Sequence, residues 1–128
     1  MINIEETAKA IVHLSIKVHK TLGPGLLESV YQRCLAHELK TAGHEVTCET
    51  SIPVQYGTIS IDMGFRADMI VDNQVIIENK TVDKIAPIHE AQLLTYLKIT
   101  GRQLGFLLNW NTILMKDGIK RMINKIEK

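Results

Sequence analysis

Apolar residues recur every three or four positions in the first part of the chain, which is the spacing of one face of an α-helix. The pattern predicts a first helix over residues 3–21 and a second over about 26–42. Gly23-Pro24-Gly25 separates the two, and Gly43 is placed to end the second helix. The first third of the chain is therefore expected to be helical.

From residue 45 onward, β-branched residues and alternating polarity indicate strands instead. Pro53 favours an edge strand, whereas Pro87 and Gly101 fit the start and end of a third helix. A short final strand or helix is expected after Gly118. The predicted strands cover residues 45–50, 52–56, 58–71, 74–82 and 104–110. This order predicts an α/β (α+β) fold with a mixed central β-sheet flanked by helices.

The composition is that of an ordinary globular protein, with 45% hydrophobic and 23% charged residues. A length of 128 residues suits a single domain over 1–128. No apolar run approaches the ~20 residues of a membrane span, and the acidic N-terminus lacks a signal-peptide layout, so a cytoplasmic location is expected. A net charge of +1 does not by itself indicate a polyanionic partner. Cys34 and Cys48 are expected to be small buried hydrophobic residues.

Three charged residues lie inside strands that otherwise look like core. Asp68 falls within one apolar run, and Glu78 and Lys80 fall within the next. Buried charges are costly unless they are compensated. The connector at 72–74 is short and rich in turn-forming residues, so the two strands are expected to pair as a hairpin with Asp68 across from the Glu78 region. Because side chains alternate along a strand, Glu78 and Lys80 share one face.

Two carboxylates that converge on one point form a hard-oxygen site suited to Mg²⁺ or Mn²⁺. An adjacent ammonium group can orient a water molecule or stabilise charge on a phosphate. The alternative is a structural ion pair of Asp68 or Glu78 with Arg66 or Lys80. Arg66, two residues before Asp68, could instead contact a substrate phosphate.

Two other segments carry candidate residues. Gln92 and Tyr96 are four residues apart, so they project from one helical face, where they either assist the site or simply face solvent. Glu28 lies on an otherwise apolar helical ridge and is expected to be partly buried, or else it is a first-turn acid favoured by the helix dipole. Lys120 and Arg121 belong to a basic C-terminal stretch that forms either a phosphate-tracking rim or a solvated face.

The motifs together resemble a known family. Asp68 followed by Glu78-Asn79-Lys80 is similar to the D…(D/E)xK signature of the PD-(D/E)XK nuclease superfamily. Gln92 and Tyr96 resemble the QxxxY motif of its RecB-like branch, and the stretch Gly25 to Tyr31 resembles the namesake motif of the GxxExxY proteins. The resemblance implies a restriction-endonuclease-like αβββαβ core with an extra N-terminal helix.

The resemblance also implies a role for each candidate residue. Asp68 and Glu78 would hold Mg²⁺ or Mn²⁺, and Glu28 would face the site as a further ligand, directly or through water. Lys80 would position the attacking water, with assistance from Gln92 and Tyr96. The implied activity is metal-dependent hydrolysis of phosphodiester bonds, with DNA as the expected substrate. The alternative is a non-catalytic nucleic-acid- or protein-binding module on the same fold, and a homodimer is left open.

Overall fold

The computed structural model describes residues 2–125. Within these residues, three α-helices and five β-strands make up the fold, with a short 3-10 turn at Met115–Gly118 before the fifth strand. In chain order they are α1 (Ile4–Leu22), α2 (Glu28–Thr41), β1 (Val46–Tyr56), β2 (Ile59–Val71), β3 (Val75–Lys80), α3 (Pro87–Thr100), β4 (Leu104–Asn109) and β5 (Ile119–Ile123).

The five strands form one sheet in the order β1-β2-β3-β4-β5. Only β3 and β4 are parallel, because α3 carries the chain from the end of one to the start of the other. The other neighbouring pairs are antiparallel. The predicted mixed sheet flanked by helices is therefore confirmed, with α2–β1–β2–β3–α3–β4 as the αβββαβ core and α1 as the extra helix.

The helices cover both faces of the sheet. Helices α1 and α2 share one apolar cluster with Met69, Val71, Val75 and Ile77. On the other face, Leu93 and Leu97 of α3 pack over a smaller cluster that comprises Ala67, Ile70, Ile76 and Leu107. Full burial of each leucine contributes roughly 1.5–3 kcal/mol, which holds α3 against the sheet.

The turn between β2 and β3 has the conformation that the sequence indicates. Asp72 and Asn73 both have positive φ, at 52° and 55°, as the two central residues of a type I′ turn require, and Gln74 N–H closes the turn by donating to the Val71 carbonyl at 3.0 Å. Asp72 also accepts hydrogen bonds from the Thr7 hydroxyl at 2.6 Å and from His44 Nδ1 at 2.7 Å. The turn is thereby fixed to α1 and to the loop before β1.

Three details differ from the sequence predictions. The predicted strands at 45–50 and 52–56 are one strand, β1, whose pairing with β2 shifts register between Ile52 and Val54, at Pro53. Proline suits this irregular position because proline has no backbone N–H to donate to the hydrogen bonds between two strands. Helix α2 begins at Glu28, after an extended Leu27. The prediction of two buried cysteines is wrong, because Cys48 lies exposed on the edge strand β1 and Cys34 is only half-buried.

Candidate active site

The hairpin brings Asp68 and Glu78 together. Met69 pairs with Ile77 in the antiparallel register, so Asp68 and Glu78 occupy the next opposed positions. The backbone N–H of Asp68 donates to Glu78 Oε2 at 2.9 Å, and the backbone N–H of Asn79 donates to Asp68 Oδ2 at 2.8 Å. Each carboxylate is therefore held by the backbone of the neighbouring strand through one oxygen.

Buried Glu78 and half-buried Asp68 form an acid pair that has no basic ion-pair partner among residues 2–125. Glu78 is only 5% exposed. Burial, followed by the charge of Asp68, raises the pKa of Glu78 to about 8. Burial also raises the pKa of Asp68, against the opposing hydrogen bond from Asn79 N–H. Neither carboxylate takes part in an ion pair among residues 2–125. The alternative, a structural ion pair with Arg66 or Lys80, is therefore absent from these residues.

Lys80 ends β3 and lies half-buried on the same face as Glu78. Its positive charge acts on Glu78, Asp68 and Glu28 alike, lowering the pKa of each against the larger effect of burial. Lys80 thus interacts electrostatically with all three carboxyl groups, although it forms no ion pair with them among the described residues. That arrangement leaves an ammonium group available beside two carboxylates.

Glu28 is less buried than expected. It is the first residue of α2 and is exposed, because the helix begins there and leaves its side chain at an open end. Burial of part of its carboxyl group, followed by the charge of Asp68, still raises the pKa of Glu28. Within residues 2–125, no three His, Cys, Asp or Glu side chains are grouped closely enough to hold a metal ion. Glu28 therefore stands outside the Asp68–Glu78 pair, and its role as a ligand stays a prediction.

Helix α3 supplies the opposite wall of the site. The Tyr96 ring stacks on Phe65 of β2, with centroids 3.9 Å apart and planes 5° apart. Burial, followed by the charges of Glu78 and Asp68, raises the pKa of the Tyr96 phenol. Gln92, one turn earlier, is exposed. The catalytic roles of both residues stay predictions.

Tyr31, the last residue of the namesake motif, is fully buried. Its hydroxyl donates to the Gly23 carbonyl at 2.6 Å and accepts from Leu26 N–H at 3.0 Å. Gly25 lies between them with a φ of 101°, which favours glycine. Tyr31 thus acts as a core residue that shapes the turn in front of Glu28.

The candidate phosphate-contacting residues do not share one surface. Lys120 pairs with Leu107, which pairs with Glu78, so Lys120 lies in the same row of the sheet. Its ammonium group lies 3.6 Å from Glu90 of α3. Arg121 points to the other face, where it pairs with Glu5 of α1 at 2.7 Å. Arg66 is exposed and belongs to none of the ion pairs among residues 2–125.

Glu49 is a nearby acid that the sequence analysis missed. It lies on β1 between the residues paired with Met69 and Ala67, and its charge raises the pKa of Asp68. Its φ of 53° interrupts the regular strand geometry. Gln32 of α2 donates to Glu49 Oε1 at 3.1 Å. No motif marks Glu49 in the sequence, because its position depends on the pairing of β1 with β2.

Comparison with known proteins identifies the family. Residues 5–122 match the profile of the PD-(D/E)XK nuclease superfamily, and the chain belongs to it. Two solved structures are similar. SSO0001 has 26% identity and a TM-score of 0.54 over 78% of this chain and 52% of that one, so the chain spans about half of SSO0001. The alkaline exonuclease LHK-Exo from Laribacter hongkongensis has 16% identity and a TM-score of 0.49 over 92% and 82%.

No match was found among curated proteins. Within residues 2–125, no helix is long and apolar enough to cross a membrane. The candidate site, whose residue roles stay predictions, is built on the β2–β3 hairpin. It lies where β2 and β3 bring their acidic residues together beneath α3.

Proposed function

We propose that this protein is a Mg²⁺- or Mn²⁺-dependent nuclease that hydrolyses phosphodiester bonds, with DNA as its substrate. The observation that carries the proposal is the Asp68–Glu78 pair, in which buried Glu78 and half-buried Asp68 repel each other and neither has a basic ion-pair partner among the described residues. A fold does not keep two such acids together cheaply unless a cation compensates them. Membership of a nuclease superfamily supports the same conclusion. A cytoplasmic location stays a prediction from the sequence.

The residues present fit a hard divalent cation. Asp68 and Glu78 each keep one carboxylate oxygen that accepts no hydrogen bond within the described chain. These oxygens, with the Asn79 carbonyl and water, would hold the ion. When bound, the ion would supply Lewis acidity toward the scissile phosphate and lower the pKa of a water molecule.

The surrounding side chains would do the rest of the work. Lys80, half-buried on the same face as Glu78, would orient the attacking water and balance charge that develops on phosphorus. The Tyr96 hydroxyl and the Gln92 amide, from α3, would donate hydrogen bonds to a phosphate or to bound water. The charge of Glu28, outside the acid pair, would adjust the electrostatic potential at the bound ion. Arg66 would contact a flanking phosphate.

The second candidate function is a binding module without catalysis. It is favoured by the near-neutral charge and by the pairing of Lys120 with Glu90 and of Arg121 with Glu5, which engages two cations of the C-terminal basic stretch. A binding module has no use for two adjacent acids that lack a basic partner. Such a pair would cost stability and contribute nothing to binding a polyanion. The acid pair therefore favours the nuclease.

A cleavage panel separates the two functions. Single-stranded, duplex, flap and junction DNA, together with RNA, would be incubated with Mg²⁺, Mn²⁺ or EDTA, using wild type and Glu78→Ala. The nuclease proposal predicts metal-dependent product from wild type only. Binding that is indifferent to metal, with no product on any substrate, would establish the module instead. Cleavage of RNA alone would retain the chemistry and correct the substrate.

A homodimer draws support from the β1–β2 hairpin. In the part of this hairpin that extends past β3, Tyr56 and Ile59 lie opposite each other and expose 76% and 56% of their surface. Ile61 and Met63 are also exposed. Asp62 is the one charged residue in the segment 54–63, so this apolar face suits another apolar face better than nucleic acid. Light scattering should show a dimer for wild type and a monomer for Tyr56→Ser/Ile59→Ser. A monomeric wild type would contradict the homodimer.

A further inference from the structure

The strand that carries Glu78 and Lys80, β3, also carries a buried polar side chain. Asn79, between Glu78 and Lys80, is fully buried on the α1–α2 face of the sheet. Its amide nitrogen donates to Gln32 Oε1 at 3.1 Å, and its amide oxygen accepts from Trp110 Nε1 at 2.9 Å. The same nitrogen lies 3.4 Å from Met69 Sδ. Burial of an amide is costly, so a fully bonded one at this position requires an explanation.

The two partners of Asn79 lead to separate parts of the site. Gln32 also donates to Glu49 Oε1, on the strand beside Asp68. The Trp110 ring stacks on Tyr31, with centroids 4.9 Å apart and planes 7° apart. Tyr31 in turn holds the turn that precedes Glu28 through its hydroxyl hydrogen bonds. One amide thus joins α2, the edge strand and the residue after β4.

The backbone of the same residue belongs to the acid pair. Asn79 N–H donates to Asp68 Oδ2 at 2.8 Å. Trp110 N–H donates to the Lys80 carbonyl at 2.9 Å, so Trp110 holds both the Asn79 side chain and the backbone after it. Because consecutive side chains leave a strand on opposite faces, fixing Asn79 on one face fixes the direction of Glu78 and Lys80 on the other.

We propose that Asn79 is a positioning residue for the acid pair. Its side-chain amide, clamped between Trp110 and Gln32, sets the orientation of the Asn79 peptide and hence the Asn79–Asp68 hydrogen bond and the placement of Glu78 and Lys80. Through Trp110 and Tyr31 it also ties the catalytic strand to the Gly25–Tyr31 motif. The effect on cleavage rests on the proposed nuclease function, whereas the effect on the Asn79–Asp68 bond does not.

The competing explanation is that Asn79 is simply a satisfied polar core residue. The triple variant Gln32→Leu/Asn79→Leu/Trp110→Phe separates the two explanations, because it removes the three hydrogen-bonded side chains together and leaves only Glu49, which is exposed to water, without its Gln32 partner. Phe also retains an aromatic ring against Tyr31. The single variant Trp110→Phe is a milder version that removes only the donor to Asn79. Thr7→Val, which deletes the buried hydrogen bond to Asp72 in the β2–β3 turn, is the matched control.

Three measurements are made on each variant: the denaturant midpoint, the hydrogen-exchange rate of the residue-79 backbone amide by NMR without metal, and kcat and KM with Mn²⁺. We expect the triple variant to unfold near the wild-type midpoint. Its residue-79 amide should exchange at least about tenfold faster, and its kcat should fall roughly 10–100-fold with little change in KM, as for other residues that orient a metal ligand. Trp110→Phe should shift both quantities in the same direction by less.

Wild-type exchange at residue 79 in a stable triple variant would overturn the proposal, whatever the cleavage result. Faster exchange with unchanged kcat would also overturn it, because position would then not matter to the reaction. If wild type cleaves nothing, the nuclease function fails and the exchange rate alone decides the positioning role. If the triple variant does not fold, Trp110→Phe decides by the same readouts. Thr7→Val should lose stability, while kcat and the residue-79 exchange rate, once corrected for the lower free energy of unfolding, remain at wild-type values.

Discussion

Neutralising Glu78 should stabilise the metal-free protein, and the gain should grow with pH. The pKa of Glu78 rises from 4.5 to about 8 on folding, first through burial and then through repulsion by Asp68. Between these two values the folded state binds more protons than the unfolded state, so the free energy of unfolding falls as pH increases. The full change corresponds to roughly 5 kcal/mol at 1.36 kcal/mol per pKa unit, of which about 3 kcal/mol is already lost at pH 7.

The assay is chemical denaturation of wild type and Glu78→Gln in EDTA from pH 5 to pH 9. The amide keeps the shape of the acid but does not ionise, so the stability difference should widen steadily up to about pH 8 and then level off. Asp72 serves as an internal contrast. Its burial alone would raise its pKa, but hydrogen bonds from Thr7, His44 and Glu45 N–H lower it, so its stabilisation is lost only as pH falls through the acidic range. Parallel curves for the two proteins from pH 5 to pH 9 would refute the reasoning.

Three further predictions concern the side chains around the acid pair. Lys80→Ala should lower the cleavage rate by at least about a hundredfold without loss of fold, and Lys80→Arg should also be poor because a planar guanidinium does not replace a compact ammonium; initial rates and circular dichroism check both. Glu28→Gln should reduce the rise in Tm caused by Mn²⁺, but by less than Glu78→Ala does, because Glu28 is exposed; an equal rise in wild type and Glu28→Gln would make it a helix-start acid only. Tyr96→Phe should keep the stack on Phe65 and the wild-type Tm while cleavage slows about tenfold or more; an unchanged rate would remove the hydroxyl from the mechanism.

The parts of the fold that local rules govern could be read from the sequence. The β2–β3 hairpin follows from a turn-forming connector and alternating side chains, and those two features alone bring Asp68 opposite Glu78. The third helix follows from Pro87 and Gly101 at its ends. The superfamily resemblance, which the profile match confirms, implied an αβββαβ core with an extra N-terminal helix, in agreement with the element order that the pattern predicts.

The parts that long-range packing governs could not be read in the same way. Glu49 approaches Asp68 only because β1 pairs with β2, and Trp110 reaches Asn79 across 31 positions of the chain. The exposure of Glu28 depends on where α2 begins. The helix begins two residues later than the sequence predicts, so Glu28 lies at its exposed N-terminus rather than on its apolar face. Sequence periodicity gives the face of an element but not what covers it.

The central claim is that Asp68 and Glu78 hold a catalytic divalent cation. Calorimetric titration of Mn²⁺ into wild type, Glu78→Ala and Thr7→Val tests it most directly, because it needs no knowledge of the substrate. Wild type and Thr7→Val, whose change lies in the β2–β3 turn, should bind Mn²⁺ alike, with proton release near neutral pH because Glu78 titrates at about 8. Glu78→Ala should lose this binding. Equal Mn²⁺ affinity in wild type and Glu78→Ala would contradict the account.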